Sequence, residues 1–209
     1  MATPDGSRQF AEDYVPEDFV TAAARVRANE LGITSVGHGA GATLRFLAAT
    51  VQARNVVEIG TGTGVSGLWL LRGMQPDGIL TSIDIEGEHL RLAREAFLEA
   101  GVRPNRTRLI TGRALDVLPR LADRGYDIVL VDGATDEYSL CLEQSKRLLR
   151  RGGVVAFCSA LGEDKVADPH QRDQRTIDIR AVVNAVRDDE DLVPVLLPLS
   201  GGLLAATLR

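Results

Sequence analysis

The stretch Val56-Val57-Glu58-Ile59-Gly60-Thr61-Gly62-Thr63-Gly64 reads as a short apolar strand that runs straight into three alternating glycines. A helix is predicted directly after it, over about Gly64 to Met74. Glycines at such a turn let a ligand approach the main chain and face the N–H groups that open the helix. Gly62-Thr63-Gly64-Val65-Ser66-Gly67 also satisfies GxGxxG, the spacing of a dinucleotide loop. The next apolar run ends in Asp84, 20 residues beyond Gly64, where nucleoside sites place the carboxylate that grips a ribose. The spacing therefore predicts an adenosine-containing ligand without deciding which one.

Outward from this turn, short apolar runs bounded by Gly, Asp and Asn alternate with longer segments of helical period. That is the pattern of parallel strands joined by crossover helices. Strands are predicted at Asn55 to Ile59, Ile79 to Asp84, Thr107 to Thr111, Asp127 to Val131 and Val154 to Cys158. The intervening helices are predicted at about Gly64 to Met74, Gly87 to Ala100, Ala114 to Leu121 and Thr135 to Leu149. Arg150-Arg151-Gly152-Gly153 closes the last of them with cations and a glycine stop. A polar, irregular stretch from Gly162 to Gln174 precedes a helix to about Arg187. Leu192 to Leu199 and Leu203 to Leu208 are separated only by Ser200-Gly201-Gly202, too short for a crossover helix. They must pair antiparallel as a hairpin at one sheet edge. Helices over Pro16 to Asn29 and Gly41 to Gln52 stand ahead of the sheet. The expectation is one α/β domain over residues 16–209 behind a mobile arm over residues 1–15.

The 209 residues carry 24 Lys+Arg against 29 Asp+Glu with both signs interspersed, so no basic stripe marks a nucleic acid or an anionic membrane as partner. A chain of this length that is 44% hydrophobic buries a core without disulfide or metal staples. Cys141 and Cys158 stand in apolar surroundings and read as buried free thiols of a reducing compartment. No apolar run approaches the roughly 18 residues that span a bilayer. Met1 to Val15 shows neither a secretory nor a transit-peptide composition, so a cytoplasmic place is expected.

Two features turn the adenosine reading toward S-adenosylmethionine and away from NAD. Glu58 puts a carboxylate at the ligand end of the first strand, tolerable beside a sulfonium or amino group and awkward beside a pyrophosphate. The terminal hairpin is the second, because a dinucleotide fold would finish with more parallel βα units.

The segments VVEIGTGTGVSGLWLL, TSIDIEGEHLRLAREAFLEAG, RLITGRALDVLPRL, YDIVLVDGATDEY and RLLRRGGVVAF follow one another in this order. On them the chain, from about Ile33 to Arg209, resembles the small O-methyltransferases of the catechol and caffeoyl-CoA type, in their bacterial, actinobacterial-like branch. The resemblance implies the Rossmann-like class I methyltransferase fold, a seven-strand sheet of order 3-2-1-4-5-7-6 with strand 7 antiparallel and helices on both faces. It implies that Glu58, Gly60, Thr61 and Gly62 form the loop under the methionine part of S-adenosylmethionine, with Ser66 offering a hydroxyl to its carboxylate. Asp84 would accept from both ribose hydroxyls. Ile85 would lie beside the adenine, with Arg113 and Ala114 at its edge. Val36-Gly37-His38 would close over the amino-acid end of the cofactor with backbone groups.

The sequence departs from the family where the chemistry should be. Catechol-type members hold a divalent cation with an Asp after the fourth strand and an Asp-Asn pair after the fifth, and use a Lys base three residues past the first Asp. Here the first Asp is Asp132, the Lys position is Thr135 and the pair reads Cys158-Ser159. One carboxylate is a weak site for Mg²⁺, which wants near-octahedral oxygen ligation, so no metal is expected. Asp132 is expected to contact the amino group of S-adenosylmethionine or the substrate. Asp132 and His38 are the catalytic candidates, His38 because it follows the segment that closes over the cofactor. His89 is expected on a solvated helix face, and the loop around His170 as a polar lid. Methyl transfer is an in-line displacement, so alignment and desolvation supply much of the rate even without a strong base. The expected activity is O-methylation of a small-molecule acceptor. A cofactor-binding module that has lost catalysis and an NAD-linked oxidoreductase are the alternatives. Related enzymes are commonly dimers, and the run Leu192 to Leu199 is apolar on both faces, so a homodimer is expected.

Overall fold

In β1 (Asn55–Ile59) the neighbours Val56 and Val57 point to opposite faces and are both fully buried, so the strand is covered on two sides. The same holds along β4 (Tyr126–Val131), where Ile128, Val129, Leu130 and Val131 are all buried. The computed structural model that shows this describes residues 4–209, with side chains from residue 6 onward. Around β1 and β4 lie β2 (Ile79–Asp84), β3 (Thr107–Thr111), β5 (Leu149–Phe157), β6 (Leu192–Leu197) and β7 (Leu203–Leu208). Their order is β3-β2-β1-β4-β5-β7-β6, with β7 antiparallel to both neighbours and the pairs from β3 to β5 parallel. This is the sheet the sequence predicts, including the terminal hairpin.

The helices are α1 (Pro4–Glu12), α2 (Phe19–Glu30), α3 (His38–Thr50), α4 (Val65–Gly73), α5 (Gly87–Glu99), the short α6 (Ala114–Val117), α7 (Tyr138–Leu148) and α8 (Gln174–Asp188). On one face α3, α4 and α5 bury Leu44, Leu68 and Phe97 against Val56, Leu80, Ile128 and Leu130. On the other, α7 and α8 bury Tyr138, Leu142 and Val182 against Val57, Val129 and Val131. The C-terminal ends of β1, β2 and β4 are left facing the loops.

One expectation needs correction. Arg150-Arg151-Gly152-Gly153 does not stop a helix: α7 ends at Leu148 and these residues already belong to β5, whose pairing with β4 shifts between Tyr126 and Ile128. Arg150 pairs with Asp127 at 2.6 Å and donates to the Val51 carbonyl at the end of α3 at 3.1 Å, instead of closing α7. The other oxygen of Asp127 accepts the N–H groups of Arg54 and Asn55, so this carboxylate ties together the starts of β1, β4 and β5. Guanidinium and amide donors hold its carboxyl below the usual carboxylate range although burial pushes the other way. In the arm expected over residues 1–15, residues 1–3 lie outside the described residues. Pro4–Glu12 forms α1, a polar helix in which Phe10 is the one large apolar side chain.

Candidate functional site

The crossovers leave β1 toward β2 on one side and reach β4 on the other, and a crevice opens where the strand order reverses. A cavity of about 500 Å³ occupies it. Gly60 turns the chain out of β1 at φ +83°, and a Cβ there would lie 2.2 Å from the Asp132 carbonyl oxygen. Only glycine lets the loop pass so close to the end of β4. Gly64 starts α4 in the left-handed region, at φ 92°. Between them the Gly62 N–H donates to Asp84 Oδ2 at 2.9 Å, which locks the loop after β1 to the carboxylate that ends β2. Asp84 Oδ1 accepts the Glu86 N–H at 3.0 Å and lies 3.1 Å from Nδ1 of His89.

Ten of the residues singled out by sequence line this one cavity: Val36, Gly60, Thr61, Gly62, Ser66, Asp84, Ile85, Arg113, Ala114 and Asp132. Arg113 reaches across its rim to Glu137, at 2.7 Å. Three assigned roles change. Glu58 is fully buried behind the loop, not under a ligand, and its carboxylate takes the hydroxyls of Ser66 at 2.6 Å and Ser82 at 2.7 Å. Burial pushes this carboxyl up to about 7 against those two bonds, and the charges of Asp132 and Asp84 add to the rise. Ser66 turns its hydroxyl to Glu58, so it offers that proton to the core and not to a carboxylate in the cavity. His38 opens α3 with its ring turned back toward the N-terminal arm, 3.7 Å from Asp13 and 3.4 Å from Glu17. It is not among the cavity-lining residues, whereas Val36 and Ala40 on either side of it are. No catalytic part is assigned to it.

His89, expected on a solvated face and outside the site, departs from that expectation. Instead of being solvated, it sits in the first turn of α5 and folds back over Asp84, on the cavity wall. Its place five residues after the strand-ending carboxylate is the signal that could have found it. The loop ahead of α8 is likewise less free than its polarity suggests. Arg180 donates to the carbonyls of Lys165, Val166, Asp168 and Gln171, and Asp173 caps α8 through the Thr176 N–H. His170 is 92% exposed and, among the described residues, pairs with Asp168 alone.

At the end of β4 a smaller cavity of about 30 Å³ adjoins the large one, and Thr34, Ser35, Val36 and Asp132 line both. Its far wall is Cys158, Ser159, Ser200 and Leu203. Burial pushes the Asp132 carboxyl up to about 7, opposed by a hydrogen bond from the Cys158 thiol. Burial, with the Asp132 and Glu58 charges, holds that thiol well above its usual range. Tyr138 fixes this corner by donating its hydroxyl to the Cys158 carbonyl at 3.0 Å. A divalent cation does not fit here. Opposite Asp132 stand a protonated thiol and a serine, and among the described residues no three His, Cys, Asp or Glu side chains are grouped to hold a metal.

Fold and cavity together define a Rossmann-like domain of the methyltransferase type, with a nucleoside site at the switch point. The family model described as O-methyltransferase matches residues 11–208, and the chain belongs to that family. A Mycobacterium tuberculosis protein named as an O-methyltransferase is 48% identical over 196 residues, 94% of this chain and 88% of the relative. A solved Corynebacterium glutamicum protein superposes with a TM-score of 0.91 at 32% identity, covering 98% of this chain and 96% of that one. The O-methyltransferase TomG of Streptomyces achromogenes, involved in tomaymycin synthesis and solved with S-adenosylmethionine, has a TM-score of 0.84 at 28% identity, covering 96% and 94%.

Proposed function

We propose that this chain transfers the methyl group of S-adenosylmethionine to the hydroxyl of a small molecule, without a divalent metal. The observation that carries the reading is the pair of carboxyls, Asp84 at the end of β2 and Asp132 just past the end of β4, which stand on either side of β1 and face one cavity with the glycine loop. Asp84 Oδ2 keeps a lone pair for a ribose hydroxyl after it has fixed the Gly62 amide, and Oδ1, which holds the Glu86 amide, takes the second hydroxyl in place of the His89 ring. Ile85 and Ala114 offer an apolar slot for the adenine, and the segment 34–36 closes the opposite side. The cofactor, when bound, supplies an electrophilic methyl on a sulfonium.

Asp132 stands where the two cavities meet, so it faces both the methyl end of the large one and whatever enters the small one. The small cavity has room for about one water-sized group, enough for the reacting hydroxyl of an acceptor. As carboxylate, Asp132 accepts the hydroxyl proton at Oδ while the acceptor oxygen takes the methyl in line. Val36, Ala40 and Leu203 exclude water from that end. Calorimetry in EDTA is expected to show saturable S-adenosylhomocysteine binding, and a Mg²⁺ titration of the same protein no saturable heat. A tight Mg²⁺ site, or binding of NAD in place of S-adenosylhomocysteine, would overturn this reading.

We also assign the chain to the cytoplasm as a homodimer with a small-molecule acceptor. Among the described residues no helix is long and apolar enough to cross a membrane, and both thiols are buried and free. β6 is the outermost strand, yet Val193, Val195 and Leu196 are 52%, 47% and 41% exposed. Natural edges are usually blunted with charge, so these apolar side chains, Val193 and Val195 on one side of the strand and Leu196 on the other, are better explained by a second copy in a closed two-fold pair. Pro194 bars open-ended pairing but hides none of these side chains. Light scattering at micromolar concentration is expected to give about twice the 22.5 kDa of one chain. A mass of one chain would reject the pair.

A further inference from the structure

Gly37 and Gly39 flank His38, and neither has a positive φ, so backbone conformation does not call for glycine at either position. Space does. A Cβ on Gly37 would lie 2.4 Å from Glu12 Oε1 and 2.3 Å from Ser200 Oγ, and one on Gly39 would lie 2.8 Å from Glu12 Oε2. The carboxylate of Glu12, at the end of α1, fills this gap. It accepts the Gly39 N–H at 3.0 Å, the Ser200 N–H at 3.2 Å and the Ser200 hydroxyl at 2.5 Å. Ser200 Oγ in turn accepts the Ala40 N–H at 3.4 Å. Gly37 is the N-cap of α3 and has no side chain to cap it with. Glu12 and Ser200 do so in its place, with the negative charge at the end of the helix where it is favoured.

One carboxylate thus joins three segments distant in sequence: the N-terminal arm, the start of α3 and the turn between β6 and β7. The last two border the site. Ser200 and Ala40 line the small cavity, and the segment 34–36, just ahead of Gly37, lines both cavities. The segment has a second anchor, since Arg25 donates to the Val36 carbonyl at 2.5 Å and pairs with Glu17. Loss of the Glu12 contacts therefore loosens the wall without detaching it.

We propose that Glu12 is a positioning residue for methyl transfer: through it the N-terminal arm latches the wall that closes the cofactor cavity, and release of this latch admits and discharges the ligands. The role of the latch in ligand exchange rests on the S-adenosylmethionine reading of the cavity, and the latch itself does not. Two variants break it by different routes. Glu12→Ala removes the carboxylate. Gly39→Ala pushes it aside at its flexible end and places a better helix former in the first turn of α3. S-adenosylhomocysteine release is followed by stopped-flow fluorescence of Trp69, the one tryptophan, whose Nε1 contacts Glu17 at 3.3 Å. Backbone hydrogen exchange is followed at residues 37–41 and 199–202 of the ligand-free protein.

Both variants are expected to release the ligand about tenfold faster, the equivalent of about one lost charge-assisted hydrogen bond. Both are expected to exchange faster in the two segments together, while Gly39→Ala melts no lower than wild type. Glu12→Gln, which keeps the shape but not the charge, falls between. A merely structural role would tie release to melting temperature across the set, and that result overturns the proposal. So do wild-type release and exchange in both single variants. Failure of the wild type to bind S-adenosylhomocysteine would overturn the cofactor reading instead, and the exchange data would still decide the latch.

Discussion

Replacing Asp84 by alanine is expected to weaken S-adenosylhomocysteine binding by about 2 to 4 kcal/mol, roughly 30- to 1000-fold, while the protein stays folded. The carboxylate is 8% exposed and sits at the end of a strand paired on both sides, so its removal leaves the sheet intact. What is lost is the acceptor for a ribose diol. In addition, the Gly62 N–H loses the partner that holds the glycine loop against β2. Two losses at one atom pair place the effect toward the upper end. Asp84→Asn keeps the shape but turns an amide toward donors, so it is expected to recover only part of the affinity. Calorimetry reads both variants, and wild-type affinity in Asp84→Ala would remove this residue from the site.

Asp132→Asn is expected to lower kcat/KM by about 10²- to 10⁴-fold, the usual span for a general base, with S-adenosylhomocysteine affinity little changed. The pH dependence follows from the same group. Burial pushes its carboxyl up to about 7, and only the ionised form accepts a proton. Activity is therefore expected to rise with pH through about 7 and level off above it. The asparagine variant should lose that inflection along with the rate. A rate that is flat from pH 5 to 9, or an active Asp132→Asn, would show that alignment alone drives the transfer.

The cofactor half of the site was legible because its logic is local. A strand, three glycines, a helix and an acid at the end of the next strand must meet once the crossovers are right-handed and parallel, so Gly60, Gly62 and Asp84 could be placed from spacing. The acceptor half depends on contacts that spacing does not carry. His38 looked catalytic because it follows the closing segment, but the first turn of α3 aims its ring at Asp13 and Glu17. Glu58 looked like a ligand contact because it sits two residues before Gly60, yet two serines draw its carboxylate into the core. Glu12 left no trace at all: a single acid in a polar arm gains meaning only when Ser200, nearly the whole chain away, comes to meet it. Arg150 misled for a related reason, since the cation that follows α7 in sequence reaches Asp127 and the end of α3, partners that lie far from it along the chain.

The most direct test is transfer of label from tritiated methyl-S-adenosylmethionine to a library of small phenols and alcohols, in excess EDTA, by the wild type and Asp84→Ala. The account predicts labelled methyl ethers from wild type, one S-adenosylhomocysteine released per product, and little product from Asp84→Ala at the same cofactor concentration. Label transfer that appears only after Mg²⁺ is restored, or that is equal in the two proteins, would contradict it.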